Sequence, residues 1–395
     1  MVQPDFKKEA ELLFDEMVEM RRDFHQHPEL GFQETRTSGI VAERLSELGL
    51  EVQRGVAQTG VVGLLEGAKP GPTVLMRFDM DALPIQEEND VPYKSKNPGV
   101  MHACGHDAHT TMGLTMAKIM SKHQEKIAGT LKFVFQPAEE GGQGGAFSMI
   151  ADGVLENPKP DVAFAMHVWN PVPYGKARVV TGPCMASSSI FTITVEGKGG
   201  HGAAPHQAVD PILAAAHIVG ALQSIVSRNI DPQDSVVVSI GQFMAGSTFN
   251  VIPDRAVLKG TVRSYNIELH RKSYRRILEM ATRMAEAFNC KATMETVAIV
   301  APVINAEEPA AVVRQAAAEV IGAENIDDHR TMAAEDMGFF LEEIPGCYFF
   351  IGSSNEEKGL NYPQHHSKFD IDERAMINGV TIMAKAVAKY VMNGR

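Results

Sequence analysis

The sequence predicts an α/β fold, in which a mixed sheet is sandwiched by helices and the chain carries an inserted α+β domain. Short, nearly continuous apolar runs alternate with helical segments at both ends of the chain, a pattern typical of strands that are covered on both faces. The middle of the chain instead contains strands in which apolar and polar residues alternate. A length of 395 residues suits two domains.

Residues 1–185 are predicted to form the first part of the larger domain. Amphipathic periodicity predicts helices over residues 6–26 and 33–48, and Gly49 follows the second one, as glycine often follows a helix. Alternating strands and helices are predicted after them, with strands at 73–78, 130–136 and 161–168 and helices at 108–123 and 145–155.

The pattern changes near Pro183, and residues 186–300 are predicted to form the inserted domain. Its elements follow the order β-α-β-β-α-β of the split ferredoxin-like motif. They cover residues 188–197, 208–227, 234–243, 255–264, 267–287 and 291–300. Residues 301–395 return to the α/β pattern and complete the larger domain, with helices at 308–321, 335–343 and 371–392 and a strand at 346–352.

The composition argues against several classes of partner. The chain has 37 Lys and Arg against 49 Asp and Glu, a formal charge of −12, whereas nucleic acids and anionic membrane surfaces are bound through Lys and Arg. No apolar run approaches the roughly 20 residues that span a bilayer, and the charged N-terminal segment lacks the apolar core of a signal peptide. Four scattered cysteines do not resemble a disulfide framework. These features predict a cytoplasmic protein that binds neither nucleic acid nor membrane.

Polar side chains follow three of the predicted strands. Asp79 and Asp81 follow the strand at 73–78, Glu139 and Glu140 follow the strand at 130–136, and His167 lies at the end of the strand at 161–168. In open α/β sheets, ligands bind outside the carboxyl ends of the strands. The sequence therefore predicts that carboxylates and imidazole from separate segments converge at one edge of the sheet.

The segment Met101–His109 is the most specific signal in the sequence. Cys104 and His106 are separated by Gly105, which lets the backbone bend so that both side chains reach one site. Thiolate and imidazole are good ligands for zinc, manganese, cobalt and nickel ions. Asp107 is predicted to hold an imidazole N–H beside a metal-bound histidine. A buried cysteine beside surface histidines is the simpler alternative for this spacing alone.

Two adjacent carboxylates, Glu139 and Glu140, stand before a glycine-rich segment at 141–145. The pair is explained if one carboxylate binds a metal ion and the other acts as a general base. A solvated surface pair is the simpler alternative. A phosphate-binding loop is a weaker one, because the spacing of these glycines does not match the known phosphate-binding patterns.

Adjacent histidines, His365 and His366, lie in a segment that precedes the last predicted helix. Such a loop can fold back onto the edge of the sheet, although adjacent histidines are often only surface residues. The sequence alone leaves open which of the two belongs to a site.

Taken together, these clusters resemble the aminoacylase/carboxypeptidase family of dinuclear metallohydrolases, in its branch of N-acyl-L-amino-acid amidohydrolases, hippurate hydrolases and indole-acetyl-amino-acid hydrolases. The resemblance extends over nearly the whole chain, and its fold has a zinc-peptidase-like catalytic domain. It rests on RRDFHQHPELGFQE (21–34), MRFDMDALP (76–84), MHACGHDAHT (101–110), FQPAEEG (135–141), MHVW (166–169), GKGGHGAAPH (197–206), FNVIPD (249–254), GTVRS (260–264), AAEDMGFF (333–340) and HHSKFDIDE (365–373).

The resemblance implies a hydrolase that splits the amide bond of N-acyl-L-amino acids with two divalent metal ions, Mn, Zn, Co or Ni. It implies that Glu139 is the general base, and Asp79 and Asp107 are expected to support the metal ligands. The family's last ligand stands four residues before an aromatic residue, which matches His365 and Phe369, although Ser367 replaces the usual proline. The implied ligands are Cys104, His106, Glu140, His167 and His365.

The inserted domain resembles the family's lid, which also mediates dimer formation. The resemblance implies that His201 polarises the scissile carbonyl, often in the active site of the partner subunit. Asn250 and Arg263 match positions that hold substrate. A homodimer is expected, with a homotetramer as the alternative, and a small N-acyl amino acid is the expected substrate.

Two other functions remain open from the sequence. One is a metallocarboxypeptidase or dipeptidase on the same scaffold. Those relatives usually carry His-x-Asp where this chain has Arg77-Phe78-Asp79, and an Asp pair where it has Gly105-His106-Asp107. The other is a metal-binding protein without activity, which the intact pair of Glu139 and Glu140 disfavours.

Overall fold

The computed structural model describes residues 4–142 and 144–392, with residues 297–299 described by their backbone alone. Within that part the chain forms two compact units. The first contains Met1–Cys184, Ile304–Arg330 and Asp336–Arg395, and the second contains Met185–Val303 and Thr331–Glu335. The second unit is thus inserted into the first along the chain.

The elements below are numbered along the chain. The helices are α1 Phe6–Leu12, α2 Phe14–Gln26, α3 Thr35–Glu47, α4 His106–Lys122, α5 Gly145–Ala151, α6 Pro211–Asn229, α7 Ile267–Ala287, α8 Glu307–Ile321, α9 Met337–Glu343 and α10 Ala375–Val391. The strands are β1 Glu51–Val56, β2 Gly60–Glu66, β3 Lys69–Asp79, β4 Ala128–Gln136, β5 Val162–Pro173, β6 Ala177–Arg178, β7 Gly182–Met185, β8 Ser187–Glu196, β9 Gly200–His201, β10 Val236–Ala245, β11 Val251–Ile252, β12 Arg255–Ser264, β13 Lys291–Val300, β14 Val303–Asn305, β15 Ile326–Asp327 and β16 Gly346–Ser354.

The first unit is built on a mixed sheet in the order β1-β2-β4-β3-β5-β16-β6-β15. Its central strands β4, β3, β5 and β16 are parallel, whereas β1 and β2 are antiparallel to their neighbours. Helix α4 packs closely on β3. The distance between them leaves no room for a side chain at Gly113, where an added Cβ would lie 2.7 Å from Phe78 Cδ2. The predicted mixed sheet with helices is confirmed.

Two details of the first unit differ from the prediction. The predicted helix over residues 6–26 is two helices, because the backbone at Leu13 leaves the helical region at φ −97° and ψ 4°. Strands β1 and β2 were not predicted, and most of β1 is exposed. A strand at the edge of a sheet needs little apolar sequence, so its pattern is weak.

The second unit contains a four-stranded antiparallel sheet in the order β10-β12-β8-β13. This is the order expected of the split ferredoxin-like motif, with α6 and α7 packed on the sheet. On β8 the side chains of Phe191, Ile193 and Val195 point into the core and alternate with more exposed residues. The short strands β9 and β11 form a separate antiparallel pair.

Helix α6 is apolar and long enough, by length and composition, to cross a membrane. It is the one such helix in the part of the chain that the structure describes. Its buried residues Ala214, Ile218, Leu222 and Ile225 belong to the core of the second unit. The apolar face of α6 is therefore explained by packing within that unit.

Candidate metal centre

Three neighbouring parallel strands deliver the predicted polar side chains of the first unit. Asp79 is the last residue of β3, and β4 ends at Gln136, just before Glu139 and Glu140. His167 is not at the end of its strand, since β5 continues to Pro173 beside β16. Ala165 pairs with Arg77, so His167 lies level with Asp79 across the sheet. The strand ends and His167 therefore meet at the same edge.

The turn between Cys104 and His106 depends on Gly105. This residue has φ +94° and immediately precedes α4, so His106 is the first residue of the helix. A Cβ at Gly105 would lie 2.4 Å from Val168 Cγ2. Both the positive φ and the close approach to β5 require glycine at this position.

We expect Gly105→Ala to lower the free energy of unfolding by about 2 kcal/mol, because it combines a positive φ with a steric clash. Denaturant unfolding measures the change. Gly99→Ala is a matched control, because Gly99 has φ +77° but nothing lies within 4 Å of its added Cβ. It should cost only about 1 kcal/mol. Equal losses in both variants would show that the clash with Val168 is relieved at little cost.

Six side chains of the first unit form overlapping groups, and within each group the potential ligand atoms all lie within 4.8 Å of one another. Cys104 Sγ is 3.3 Å from His167 Nε2, and His365 Nε2 is 3.1 Å from Glu140 Oε1. Cys104 belongs to both of the first two groups, so the ligand set is continuous. The groups are Cys104–His106–His167, Cys104–Glu140–His365 and His106–Glu139–Glu140.

His106 presents one nitrogen to this site. Its Nδ1 lies 2.9 Å from the backbone oxygen of Asp81 and 3.2 Å from Asp81 Oδ1, so the neutral form of the ring donates from Nδ1 and has its lone pair on Nε2. This buried Nε2 has no hydrogen-bond partner among the described residues. Burial lowers the pKa of His106, but Asp79, Asp81 and Glu140 raise it to about 10. The surroundings of His106 therefore favour positive charge.

His167 and His109 are oriented differently. His167 Nδ1 donates to Val168 O at 2.5 Å, which leaves Nε2 facing Cys104. His109 Nδ1 donates to Asp79, and His109 Nε2 accepts the Val168 N–H at 2.9 Å. Because both nitrogens of His109 are occupied, this residue supports the site rather than supplying a ligand atom.

The donor set fits divalent metal ions. Burial, with the charges of Glu140 and Glu139, raises the pKa of the Cys104 thiol well above its usual value. A nearby cation reverses this effect and yields the thiolate that binds metal. Glu140 Oε1 is also buried, and it lies 3.1 Å from His365 Nε2. Sulfur, imidazole and carboxylate ligands of this kind suit zinc and the related transition metals.

The structure distinguishes between the two adjacent histidines. His365 adopts φ +66°, and its backbone N–H donates to Ala103 O at 2.7 Å, which brings its ring to Glu140. His366 instead stacks on Tyr362, with ring centroids 4.4 Å apart. His365 is therefore the residue of this pair that joins the ligand groups.

Asp79 and Asp107, which are predicted to support the ligands, both lie beside His106. Asp79 binds His109 and the buried Arg77, and these groups with His106 lower the pKa of Asp79 well below its usual value despite burial. Asp107 does bind an imidazole, but it is that of His25 and not that of a proposed metal ligand. The support for His106 comes from Asp81, which was noted in the sequence without this role.

The second unit carries the three remaining predicted residues. His201 and Asn250 are exposed and lie close together, because β9 pairs with β11 and Gly202 N donates to Asn250 O at 2.8 Å. Arg263 lies on β12, and its Nη1 donates to Met332 O at 3.3 Å. Burial lowers the pKa of Arg263.

Known proteins resemble this chain over nearly its whole length. The model of Peptidase family M20/M25/M40 matches residues 75–389. A hippurate hydrolase from Campylobacter jejuni is 41% identical, over 95% of this chain and 97% of that protein. Thermostable carboxypeptidase 2 from Saccharolobus solfataricus is 39% identical, over 97% of this chain and 98% of that protein. A solved crystal structure is also similar, that of a Bacillus subtilis protein described as a dinuclear metal binding peptidase from the M20 family. Its TM-score is 0.80 and its sequence identity is 32%, over 96% of this chain and 99% of that chain.

The side chains that could hold metal ions at this edge of the sheet, Cys, His and Glu, are of the kinds that metallohydrolases use as ligands. The chain belongs to the M20/M25/M40 peptidase family, and the predicted family is confirmed. It is an enzyme that acts on amide bonds.

Proposed function

We propose that this enzyme hydrolyses N-acyl-L-amino acids to a carboxylic acid and a free amino acid at a centre of two divalent metal ions. The observation that carries the proposal is the continuous ligand set of Cys104, His106, Glu140, His167 and His365, with Glu139 in the same cluster. The hippurate hydrolase and the dinuclear M20 peptidase support the reaction and the metal content.

The reaction needs a base and a proton donor beside the metal centre. Bound divalent cations polarise a carbonyl group and lower the pKa of water. Glu139 takes the proton of the attacking water and passes it to the leaving nitrogen. Its carboxylate lies within 4.8 Å of the ligand atoms of His106 and Glu140, which is close enough for one water molecule to lie between them.

We assign the remaining roles to the second unit, as a lid and dimerisation domain. His201 donates to the oxyanion that forms on the scissile carbonyl. Asn250 binds the substrate, and Arg263 pairs with the carboxylate of its amino-acid half. The kcat and KM of the three alanine variants test these roles. Unchanged values for a variant would remove its residue from the mechanism.

We also propose a homodimer, with a homotetramer as the alternative. Strand β10 lies at the edge of the sheet in the second unit and carries the half-exposed Phe243 and Met244. An apolar edge strand is suited to pair with another chain. Sedimentation equilibrium measures the state, and a monomer at micromolar concentration would contradict this proposal.

The cytoplasm is the proposed location, and manganese or zinc the proposed metal. All four cysteines, Cys104, Cys184, Cys290 and Cys347, are buried thiols and form no disulfide in the described chain, which suits a reducing compartment. Metal analysis of protein purified without added ions tests the metal. Cell fractionation tests the location, and recovery from the culture medium would contradict it.

A panel of substrates tests the reaction itself. We expect N-benzoyl and N-acetyl amino acids to be cleaved with kcat/KM at least about tenfold above that of dipeptides. Assays with added Mn²⁺, Zn²⁺ or Co²⁺ measure the ratio. The carboxypeptidase relative favours peptide cleavage as a second candidate. Faster cleavage of dipeptides or of C-terminal residues would establish that candidate instead.

A further inference from the structure

Arg21 of helix α2 is fully buried in the first unit, although nothing in the proposed reaction uses it. Its Nε donates to Asp107 Oδ2 at 2.8 Å, and its Nη2 donates to Asp370 Oδ1 at 2.8 Å. Nη1 lies 3.4 Å from Glu373 Oε1. A buried guanidinium is stable only when its charge is paired and its donors are satisfied. The three carboxylates provide both conditions.

The two main partners of Arg21 belong to the two segments that build the ligand set. Asp107 immediately follows His106 at the start of α4. Asp370 lies in the loop that carries His365, five residues after it. Arg21 is thus a bridge between the start of α4 and this loop. We call residues 364–370 the His365 loop.

The two segments depend on this bridge to different degrees. Helix α4 is buried along most of its length and packs on β3. The chain between residues 361 and 374, by contrast, contains no helix or strand. His365 has a positive φ and a side chain that is 53% exposed. The position of the loop therefore depends on individual contacts rather than on a regular element.

Some of those contacts come from α2 and from a second loop at residues 87–93, besides the bonds that the loop makes with Ala103, Val168 and Asn170. Glu88 N donates to Ser367 O at 2.8 Å, and Asn89 Nδ2 donates to Phe369 O at 3.0 Å. Tyr93 donates its hydroxyl to Asp370 Oδ2 at 2.7 Å, so Asp370 receives one bond from Arg21 and one from Tyr93. Both oxygens of this buried carboxylate are thereby fixed.

His25 completes the network on the same helix. Its Nδ1 lies 2.7 Å from Asp107 Oδ2, and its Nε2 lies 3.3 Å from Glu87 Oε1. Burial and the charge of Arg21 oppose protonation of His25, but Asp107 and Glu87 raise its pKa to about 9. Asp107 therefore keeps a charged partner when Arg21 is altered. Asp370 in the His365 loop has the charge of His25 nearby, but Arg21 is the one cation that donates a hydrogen bond to it among these contacts.

We propose that Arg21 is a positioning residue that holds His365 in place for the ion bound by Cys104, Glu140 and His365. The inference rests on the metal centre proposed above. The ligands of the other ion, Cys104, His106 and His167, are positioned by α4 and β5. The affinity for that ion therefore depends less on Arg21. Loss of a residue that orients a metal ligand commonly weakens metal binding 10- to 100-fold.

The test is Arg21→Lys in the full chain, stripped of metal by a chelator and titrated with Mn²⁺ in a calorimeter. Lysine keeps the charge but cannot form both fixed bonds of the guanidinium. We expect the first Mn²⁺ to bind as in the wild type and the second to bind about 10- to 100-fold more weakly. Excess Mn²⁺ should then restore kcat.

Arg22→Lys is the matched control. Arg22 is adjacent, partly exposed, and pairs with Glu373 without contacting Asp107 or Asp370. Its variant should bind both ions normally. If Arg21→Lys fails to fold, Tyr93→Phe is used instead, because it removes the other side-chain bond to Asp370. Its affinity for the second ion must fall in the same way.

Three outcomes would overturn the inference. The first is that Arg21→Lys binds both ions with normal affinity, and the second is that its affinity falls equally for both ions. The third, where that variant does not fold, is that Tyr93→Phe binds both ions with normal affinity. A wild-type protein that binds fewer than two Mn²⁺ ions would overturn the metal centre as well. A wild type with two ions and unaffected variants would leave the proposed reaction intact and reject only the role of Arg21.

Discussion

Glu139→Gln should lower kcat by about 10³-fold while the protein keeps both metal ions. The amide has nearly the shape of the carboxylate but cannot accept the proton of the attacking water. The proposed ligands Cys104, His106, Glu140, His167 and His365 are unchanged in this variant. Steady-state assays with an N-acyl amino acid and metal analysis of the same preparation measure the two quantities together.

Two further variants sharpen this experiment. Glu139→Asp keeps a carboxylate but draws it back by one methylene, so an intermediate rate is expected. Glu125→Gln makes the same change as Glu139→Gln at an exposed position before β4 and should leave activity unchanged. Near-normal turnover in Glu139→Gln would remove this residue from its role as base. Loss of metal in the same variant would make Glu139 a ligand instead.

Much of the fold follows from sequence periodicity, because the buried elements carry strong patterns. Strand β4 and helix α7 lie where their patterns predict them, and the inserted unit has the predicted order of elements. Sequence patterns do not predict an element at positions that are exposed, because only burial restricts the residue type. Strand β1 is mostly exposed, and the break at Leu13 leaves an amphipathic pattern on both sides of it. The last helix begins at Ala375 rather than at the predicted residue 371.

The candidate site shows the same division. The meeting of Asp79, Glu139, Glu140 and His167 at one edge was predictable because parallel strands end there, whereas the ligand set was implied by the family resemblance and stays a prediction. The contacts that orient the ligands were not predictable. Asp107 and Arg21 are 86 residues apart, and Arg77 and Asp336 are 259 apart. Arg21 stands in the segment 21–34 that carries part of the resemblance, but the sequence assigned no role to it.

Cys104→Ala should weaken metal binding by about 10²-fold or more. Loss of a residue that only orients a ligand already lowers metal affinity about 10- to 100-fold, and loss of a ligand should lower it at least as much. Cys104 belongs to two ligand groups, one with His106 and His167 and one with Glu140 and His365. Removing its sulfur therefore takes a ligand from both proposed ions. Mn²⁺ or Zn²⁺ titration of the metal-free variant measures the loss, and activity should return only partly at high metal concentration.

The same substitution at another buried cysteine separates loss of a ligand from loss of packing. Cys290 lies in the core of the second unit, and its burial is similar to that of Cys104. Cys290→Ala should lower stability slightly, by roughly 1 kcal/mol, without changing metal stoichiometry. Unchanged binding of two ions in Cys104→Ala would show that the thiol is only a packed side chain. The ligand set would then have to be rebuilt around His106, His167, Glu140 and His365, with Asp79 as one candidate for a further carboxylate, since its Oδ2 lies 3.9 Å from His106 Nε2.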